Sequence, residues 1–175
     1  VFADGTTLDR WDILALAWES GTSAGDDTVQ GSGLSDSING LAGNDVIYGY
    51  VGNDVLAGGT GNDRLEGGAD NDTYLFNLGD GQDTILDYYG LNGTDKLIFG
   101  AGITAEQLHV TRSSTDLDDF ILAIEGTQDA VILDEAFTDS RFGIDQFIFA
   151  NGTVLSRTDI VNMALEDTPT SGDDK

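Results

Sequence analysis

One apolar residue returns every nine positions through the first half of this chain, at Val29, Ile38, Ile47, Leu56, Leu65 and Tyr74, and once more at Ile85. Two places before each stands an aspartate: Asp27, Asp36, Asp45, Asp54, Asp63, Asp72 and Asp83. Glycine lies two places before most of these, at Gly25, Gly43, Gly52, Gly61 and Gly81. The step of nine breaks once, by two extra residues ahead of Asp83. Written from its first residue the unit runs GLAGNDVIY, GYVGNDVLA, GGTGNDRLE and GGADNDTYL, so six residues turn and three extend. Glycine lets the turn visit positive φ, and the middle residue of a three-residue strand points inward while its neighbours face out. Two units then make one coil, and turns on the same side recur every eighteen residues. Asp27, Asp45, Asp63 and Asp83 form one column; Asp36, Asp54 and Asp72 form the other.

Past Asp87 the pattern changes. Apolar stretches at Lys96–Phe99, Leu108–Thr111, Phe120–Ile124, Ala130–Leu133 and Gln146–Phe149 are separated by Gly, Asn, Asp and Thr, a signal for antiparallel strands. Ser156 followed by Asp159 opens a short helix over 156–166. The expected fold is all-β: a parallel roll over 21–87, capped by an antiparallel flanking region over 88–166 with short terminal helices.

The ends of the chain resemble each other. The sixteen residues from Phe2 align without gaps on those from Phe149, and the same offset of 147 carries Gly25-Asp26-Asp27 onto Gly172-Asp173-Asp174. We therefore expect 1–20 to be the end of a preceding flanking module and 167–175 the unstructured start of another array. Trp11 and Trp18 would pack the N-terminal helix.

Charge says which partners to look for. With 32 acidic and 7 basic residues the formal net charge is −25, which argues against nucleic acid and anionic membranes. Cysteine is absent, so disulfides and thiolate metal sites are excluded. The longest apolar run, Ile13 to Trp18, is too short to span a bilayer, and the first ten residues do not read as a Sec signal peptide. Stacked coils lie about 4.8 Å apart, so each column would bring like charges near contact. Calcium answers that repulsion, because it takes six to eight oxygens and accepts carboxylates and carbonyls together. Magnesium demands a tight octahedron, and zinc prefers nitrogen or sulfur that the repeats lack. Residues 21–87 hold twelve acidic residues against Arg64, and five inter-turn sites (27/45, 45/63, 63/83, 36/54 and 54/72) would reduce a net −11 to about −1.

The array resembles the calcium-binding RTX nonapeptide repeat, GGxGxDxUx with U a large apolar residue, of secreted bacterial haemolysins, proteases, lipases and adhesins. Asp95 to Ile160, ending FA-NGT-L…DI, resembles the domain that follows such arrays. The resemblance implies that carbonyls of the first and third positions of one turn act with its Asp: Thr22, Ala24, Gly31, Gly33, Gly40, Ala42, Gly49, Val51, Gly58 and Thr60. The facing turn would add carbonyls of its second and fourth positions: Leu41, Gly43, Tyr50, Gly52, Gly59, Gly61, Gly68, Asp70, Gly79 and Gly81. It also implies type I secretion through the parent protein and folding outside the cell; the column tally gives about four to five Ca²⁺, and we expect an extracellular monomer without nucleic-acid partners or membrane insertion.

Several copies depart from the pattern. The first, TSAGDD, has Thr22 and Ser23 for glycines, and the second, GSGLSD, has Leu34, so sites using Asp27 and Asp36 should be weaker. Asp70 adds a carboxylate in the sixth copy, and the extra Phe76-Asn77 interrupts the spacing between Asp63 and Asp83. Asp80, Asp87 and Asp95 are candidates for a last site at the array's end. His109, the sole histidine, reads as structural, and no catalytic constellation is visible. Tyr48, Tyr50, Tyr88 and Tyr89 read as outward strand positions, with a sugar-stacking patch as the alternative. The preferred reading is a non-catalytic module that folds on extracellular calcium; the alternative is a calcium-stiffened spacer or ligand-binding segment of a tandem-repeat adhesin.

Overall fold

A period of nine becomes two sheets facing each other across a single row of buried side chains. The structure, a computed structural model, describes residues 22–87, 93–116, 118–134 and 143–166. The expectations for 1–20 and 167–175, with Trp11, Trp18, Tyr88 and Tyr89, lie outside them. The array forms β1 (Thr28–Gln30), β2 (Ser37–Asn39), β3 (Val46–Val51), β4 (Val55–Ala57), β5 (Arg64–Ala69), β6 (Thr73–Phe76) and β7 (Gln82–Leu86). Odd strands stack in parallel in one sheet and even strands in the other. Register follows the eighteen-residue coil: Val29 lies opposite Ile47 and Ile47 opposite Leu65, while Ile38 lies opposite Leu56 and Leu56 opposite Tyr74. Ile38, Ile47, Leu56, Leu65, Tyr74 and Ile85 are buried, and Val29 in the outermost coil is partly so.

Glycine is demanded where neighbouring turns touch. Gly61 sits at φ 142°, and a Cβ there would collide with the carbonyl oxygen of Gly43 one coil below. A second ladder of side chains runs along the turns: Asn62 N–H donates to Asn44 Oδ1 at 3.0 Å, and Gln82 N–H donates to Asn62 Oδ1 at 2.9 Å. The two extra residues do not shift the register, because Arg64 pairs with Thr84. They are taken up in a turn where Asn77 N–H donates to Asp80 Oδ2 at 2.7 Å.

The flanking region continues the roll before it departs from it. It contains β8 (Lys96–Phe99), β9 (Leu108–Arg112), β10 (Phe120–Ile124), β11 (Ala130–Asp134), β12 (Gln146–Ile148), β13 (Val154–Ser156) and helix α1 (Arg157–Glu166). All five expected stretches are strands, but their pairing is mixed. β8 adds to β6 in parallel, β12 adds to β8 in parallel, and β11 adds to β7 in parallel. Among the described residues only β9–β10–β11 and β12–β13 are antiparallel. The last open coil of the roll offers two parallel edges, and β8 and β11 cover them; an exposed edge of unpaired N–H and C=O groups is thereby removed. The core continues across the junction through Leu97, Phe99, Val131, Leu133 and Phe147. Phe99 stacks on Phe149 with centroids 4.9 Å apart and meets Phe76 edge-on at 6.2 Å. One outer stripe is also buried: Ala57, Leu75 and Ile98 pack together with Val55 and Ile148, where a strict in–out alternation would have exposed them. Ser156 and Asp159 exchange hydrogen bonds that cap α1.

Candidate metal centre

Each aspartate from Asp27 to Asp72 ends its turn one residue before the strand, and Asp83 is the second residue of β7, so the carboxylates lie at the seam between coils. One oxygen is spent on the backbone of the coil below. Asp27 N–H donates to Asp45 Oδ1 at 2.8 Å, Asp45 N–H to Asp63 Oδ1 at 2.7 Å, and Asp63 N–H to Asp83 Oδ1 at 3.0 Å. In the other column Asp36 N–H donates to Asp54 Oδ1 at 2.8 Å and Asp54 N–H to Asp72 Oδ1 at 2.9 Å. These bonds hold the carboxylates of Asp45, Asp54, Asp63, Asp72 and Asp83 in one rotation and leave each a second oxygen.

That second oxygen divides the array into two kinds of aspartate. Oδ2 of Asp45, Asp54, Asp63, Asp72 and Asp83 is buried without a hydrogen-bond partner. Asp27 and Asp36 differ: Asp27 Oδ2 accepts from Ser23 N–H at 2.6 Å and Ser23 Oγ at 2.9 Å, and Asp36 Oδ2 accepts from Ser32 N–H at 2.5 Å. An orphaned buried carboxylate oxygen costs several kcal/mol unless a partner or a cation meets it. The first-position glycines form the floor beneath these oxygens. A Cβ on Gly40 would strike Asp45 Oδ2 and the carbonyl of Gly58, and a Cβ on Gly49 would strike Asp54 Oδ2 at once and the Gly67 carbonyl at 2.6 Å. Carboxylate and carbonyl oxygens from two coils therefore converge on one point, an all-oxygen set of the hard type that suits calcium.

At the inner rungs the electrostatics without a cation are unfavourable. Burial, then the neighbouring carboxylates, pushes Asp72 up to about 7 and Asp83 to about 8, and raises Asp45, Asp54 and Asp63 as well. Arg64 does not relieve this, since its guanidinium pairs with Asp134 of β11 at 3.3 Å.

Among the expected carbonyls, those of Leu41, Thr60 and Gly81 also accept inter-coil bonds, from Thr60, Gly43 and Ala130 N–H at 2.9 Å each, which leaves one lone pair apiece. Leu41 and Tyr50 hold the second turn position at φ 80°, where other copies use glycine. Asp70 is exposed at φ 85° and borders a shallow groove of about 430 Å³ lined by Tyr48, Tyr50, Val51 and Glu66, where the two tyrosine rings stack 6.1 Å apart. His109 lies on β9 opposite Ala123.

The three residues considered for a last site are not brought together. Asp80 turns toward Asn77 and is pushed up to about 6 by burial. Asp87 and Asp95 instead gather with Asp72, their carboxylate oxygens within 4.8 Å of one another. The second column also runs further than the repeats do: Asp72 N–H donates to Asp95 Oδ1 at 2.8 Å, and Asp95 N–H to Asp145 Oδ2 at 3.1 Å. The signal was present in the sequence, since Asp95 and Asp145 each stand two places before a buried residue, Leu97 and Phe147, as in the array.

Comparison with known proteins agrees with this geometry. Residues 22–56 and 48–85 match the family described as RTX calcium-binding nonapeptide repeat, and residues 119–159 match the haemolysin-type calcium binding protein related domain. A solution structure of the AlgE6R3 subunit of mannuronan C5-epimerase from Azotobacter vinelandii is similar with a TM-score of 0.55 and 31% identity, over 75% of this chain and 82% of that one. The extracellular lipase LipA of Serratia marcescens is similar with a TM-score of 0.55 and 29% identity, over 77% of this chain. The iron-regulated protein FrpA of Neisseria meningitidis serogroup C is 38% identical over 100 residues. This chain spans 21% of the lipase and 9% of FrpA. Calcium-binding nonapeptides stacked as a roll, with their related domain closing the end, place the chain in the RTX family of haemolysin-type calcium-binding repeat proteins.

Proposed function

We propose that the chain is a non-catalytic calcium-dependent folding module of a larger secreted bacterial protein, exported through a type I system and ordered outside the cell. The supporting observation is the set of buried, partnerless Oδ2 atoms on Asp45, Asp54, Asp63, Asp72 and Asp83. In this reading those side chains, with Asp27 and Asp36 more weakly, hold four to five Ca²⁺ together with the turn carbonyls of the flanking coils. Calcium, when bound, supplies the positive charge that lets stacked carboxylates stay ionised. The chain's own part is to present oxygens in fixed rotation, to keep larger side chains out of the seam through its first-position glycines, and to close the roll with the flanking strands.

Without cation the five inner carboxylates oppose stacking, and a chain of net charge −25 is poorly able to collapse. That suits passage through a narrow export channel at low cytosolic calcium. Extracellular calcium modules bind at roughly 10⁻⁴–10⁻³ M, so binding free energy becomes folding free energy outside. The lipase and the epimerase among its relatives are enzymes; in this reading the roll and its cap carry no reaction of their own, and the activity of a parent protein lies in other residues.

Far-UV circular dichroism of the metal-stripped chain during a Ca²⁺ titration, with Mg²⁺ as control, tests the proposal. A cooperative coil-to-strand transition with Ca²⁺ alone is expected. A strand spectrum that melts cooperatively without metal at neutral pH would overturn the switch and favour the calcium-stiffened spacer.

A further inference from the structure

The seam between the last coil and the flanking region contains a polar constellation that no nonapeptide turn accounts for. Asp72 precedes β6, Asp87 follows β7 and Asp95 precedes β8, so three separate segments bring one carboxylate each to a common point. All three are at most 3% exposed. Two of their oxygens, Asp72 Oδ2 and Asp87 Oδ1, are buried with no hydrogen-bond partner. Asp72 Oδ1 accepts from Asp54 N–H, and Asp95 Oδ1 accepts from Asp72 N–H at 2.8 Å.

Asp87 is held from the other side by Tyr74. The Tyr74 hydroxyl accepts the Gly67 N–H at 2.8 Å and donates to Asp87 Oδ2 at 3.0 Å. That pair of bonds holds the carboxylate in place beside Asp72 and Asp95, with Oδ1 left unpartnered. Tyr74 is fully buried, and its ring occupies the array's repeating core position. Phenylalanine or leucine would fill that position but would leave the Gly67 N–H and the Asp87 carboxylate without this partner. The hydroxyl thus joins the turn of the sixth copy to the carboxylate it orients. The charges of Arg157 and Lys96 act on Asp95 without pairing with it, and Arg157 itself reaches the Gly143 carbonyl at 2.6 Å and Asp145 at 3.9 Å. Among the described residues no Lys or Arg is ion-paired with these three buried carboxylates, whose oxygens lie within 4.8 Å of one another, an arrangement that buried charges adopt around a metal.

We propose that Asp72, Asp87 and Asp95 form a divalent-cation site for Ca²⁺ at the junction of roll and flanking region, with Tyr74 as the residue that positions Asp87. The site takes Asp72 from the sixth copy and Asp87 and Asp95 from beyond the nine-residue units, and it depends on the folding-module reading only for the choice of calcium. Its consequence is structural: it ties β8, the first strand of the flanking region, to the end of β7 and the start of β6, so the cap docks when the last coil is loaded. Asp72 then serves two neighbouring sites, one with Asp54 inside the array and one with Asp87 and Asp95 at its end.

Equilibrium dialysis of the full chain against Ca²⁺ tests this by counting ions. Asp87→Asn keeps the shape and an oxygen for Tyr74 while removing the charge; it is expected to bind one ion fewer per chain and to retain the coil-to-strand transition. An unchanged count overturns the site. Tyr74→Phe keeps every carboxylate and is expected to weaken one ion by roughly 10–100-fold, as loss of an orienting partner does, while the other ions bind as before. Equal affinity for all ions overturns its positioning role. Anomalous diffraction from the unaltered chain crystallised with Tb³⁺ reads the same question without a variant. A peak within about 2.3–2.6 Å of oxygens from all three aspartates is expected. Peaks in the turns and none at the junction overturn this site alone, whereas no bound ion anywhere overturns the calcium reading itself.

Discussion

The backbone N–H of Asp63 donates to Asp83 Oδ1 at 3.0 Å across a separation of twenty residues, although every other rung of its column spans eighteen. The bond survives the insertion because the turn at Asn77 absorbs it. Asp63 is therefore an interior rung, shared between the coils of Asp45 and Asp83, with its own Oδ2 unpartnered. Asp63→Asn retains an oxygen for the Asp45 N–H and removes one charge from two sites. We expect it to cost on the order of 2–3 kcal/mol of calcium-linked folding free energy, read as a higher Ca²⁺ midpoint by circular dichroism. Asp27→Asn, at the outer rung where Ser23 already serves Oδ2, should cost under about 1 kcal/mol. Equal shifts would mean that the two rungs do not differ as their hydrogen bonding implies.

Protons and calcium should compete for the same oxygens. In the metal-free fold, burial pushes Asp83 and Asp87 up to about 8 and Asp72 to about 7. In the unfolded chain aspartate titrates near ~4, so between about pH 4 and 8 the folded chain binds more protons than the unfolded one. Stability of the metal-free fold consequently falls as pH rises through that window and is greatest at its acid end. Metal-stripped protein brought from pH 8 to about 4.5 is expected to gain strand signal. Apparent Ca²⁺ affinity is expected to rise between pH 6 and 8, with protons released on binding as measured by calorimetry in two buffers. A pH-independent midpoint would contradict the burial of these groups.

Leu41 holds φ 80° in a turn position that Gly59 fills one coil above, at φ 96°. A non-glycine residue there pays roughly 1–2 kcal/mol, while glycine adds roughly 0.5–1 kcal/mol of unfolded-state entropy. Leu41 is 49% exposed, so little burial is lost on removing its side chain. Leu41→Gly is expected to lower the Ca²⁺ midpoint by a modest margin, about 0.5–1 kcal/mol, and Leu41→Val to raise it. The same titration checks both.

The roll was legible because packing and chemistry repeat in phase: one buried residue and one carboxylate per nine positions specify the strand, the turn and the column together. What escaped the sequence lies where neighbours in space are distant in the chain. Asp95 follows Asp72 by 23 residues and Asp145 follows Asp95 by 50, so the extended column keeps the array's Asp-to-apolar spacing but loses its period. The strand pairing of the flanking region was hidden for a related reason. A short run such as Lys-Leu-Ile-Phe carries no mark of its partner, and the parallel edge left by β6 and β7 decides it. The Tyr74 hydroxyl looked like one more core side chain, because only the fold places Asp87 beside it.

The continuity of the core makes one further prediction, about a residue that touches no candidate ligand oxygen. Leu97 on β8 is fully buried, lying opposite Tyr74 of the last coil on one side and Phe147 of β12 on the other. If the cap closes the roll, the free energy of its packing and that of ion binding belong to one cooperative transition. Leu97→Ala removes a buried side chain at about 2–5 kcal/mol. It is therefore expected to raise the Ca²⁺ midpoint of the whole strand transition, with the number of bound ions unchanged at saturation. Val154→Ala on β13, whose parent side chain is 54% exposed, should leave the midpoint where it is. Two separate transitions in Leu97→Ala, a calcium-dependent one at the wild-type midpoint and an independent thermal one, would show instead that roll and cap fold as independent units.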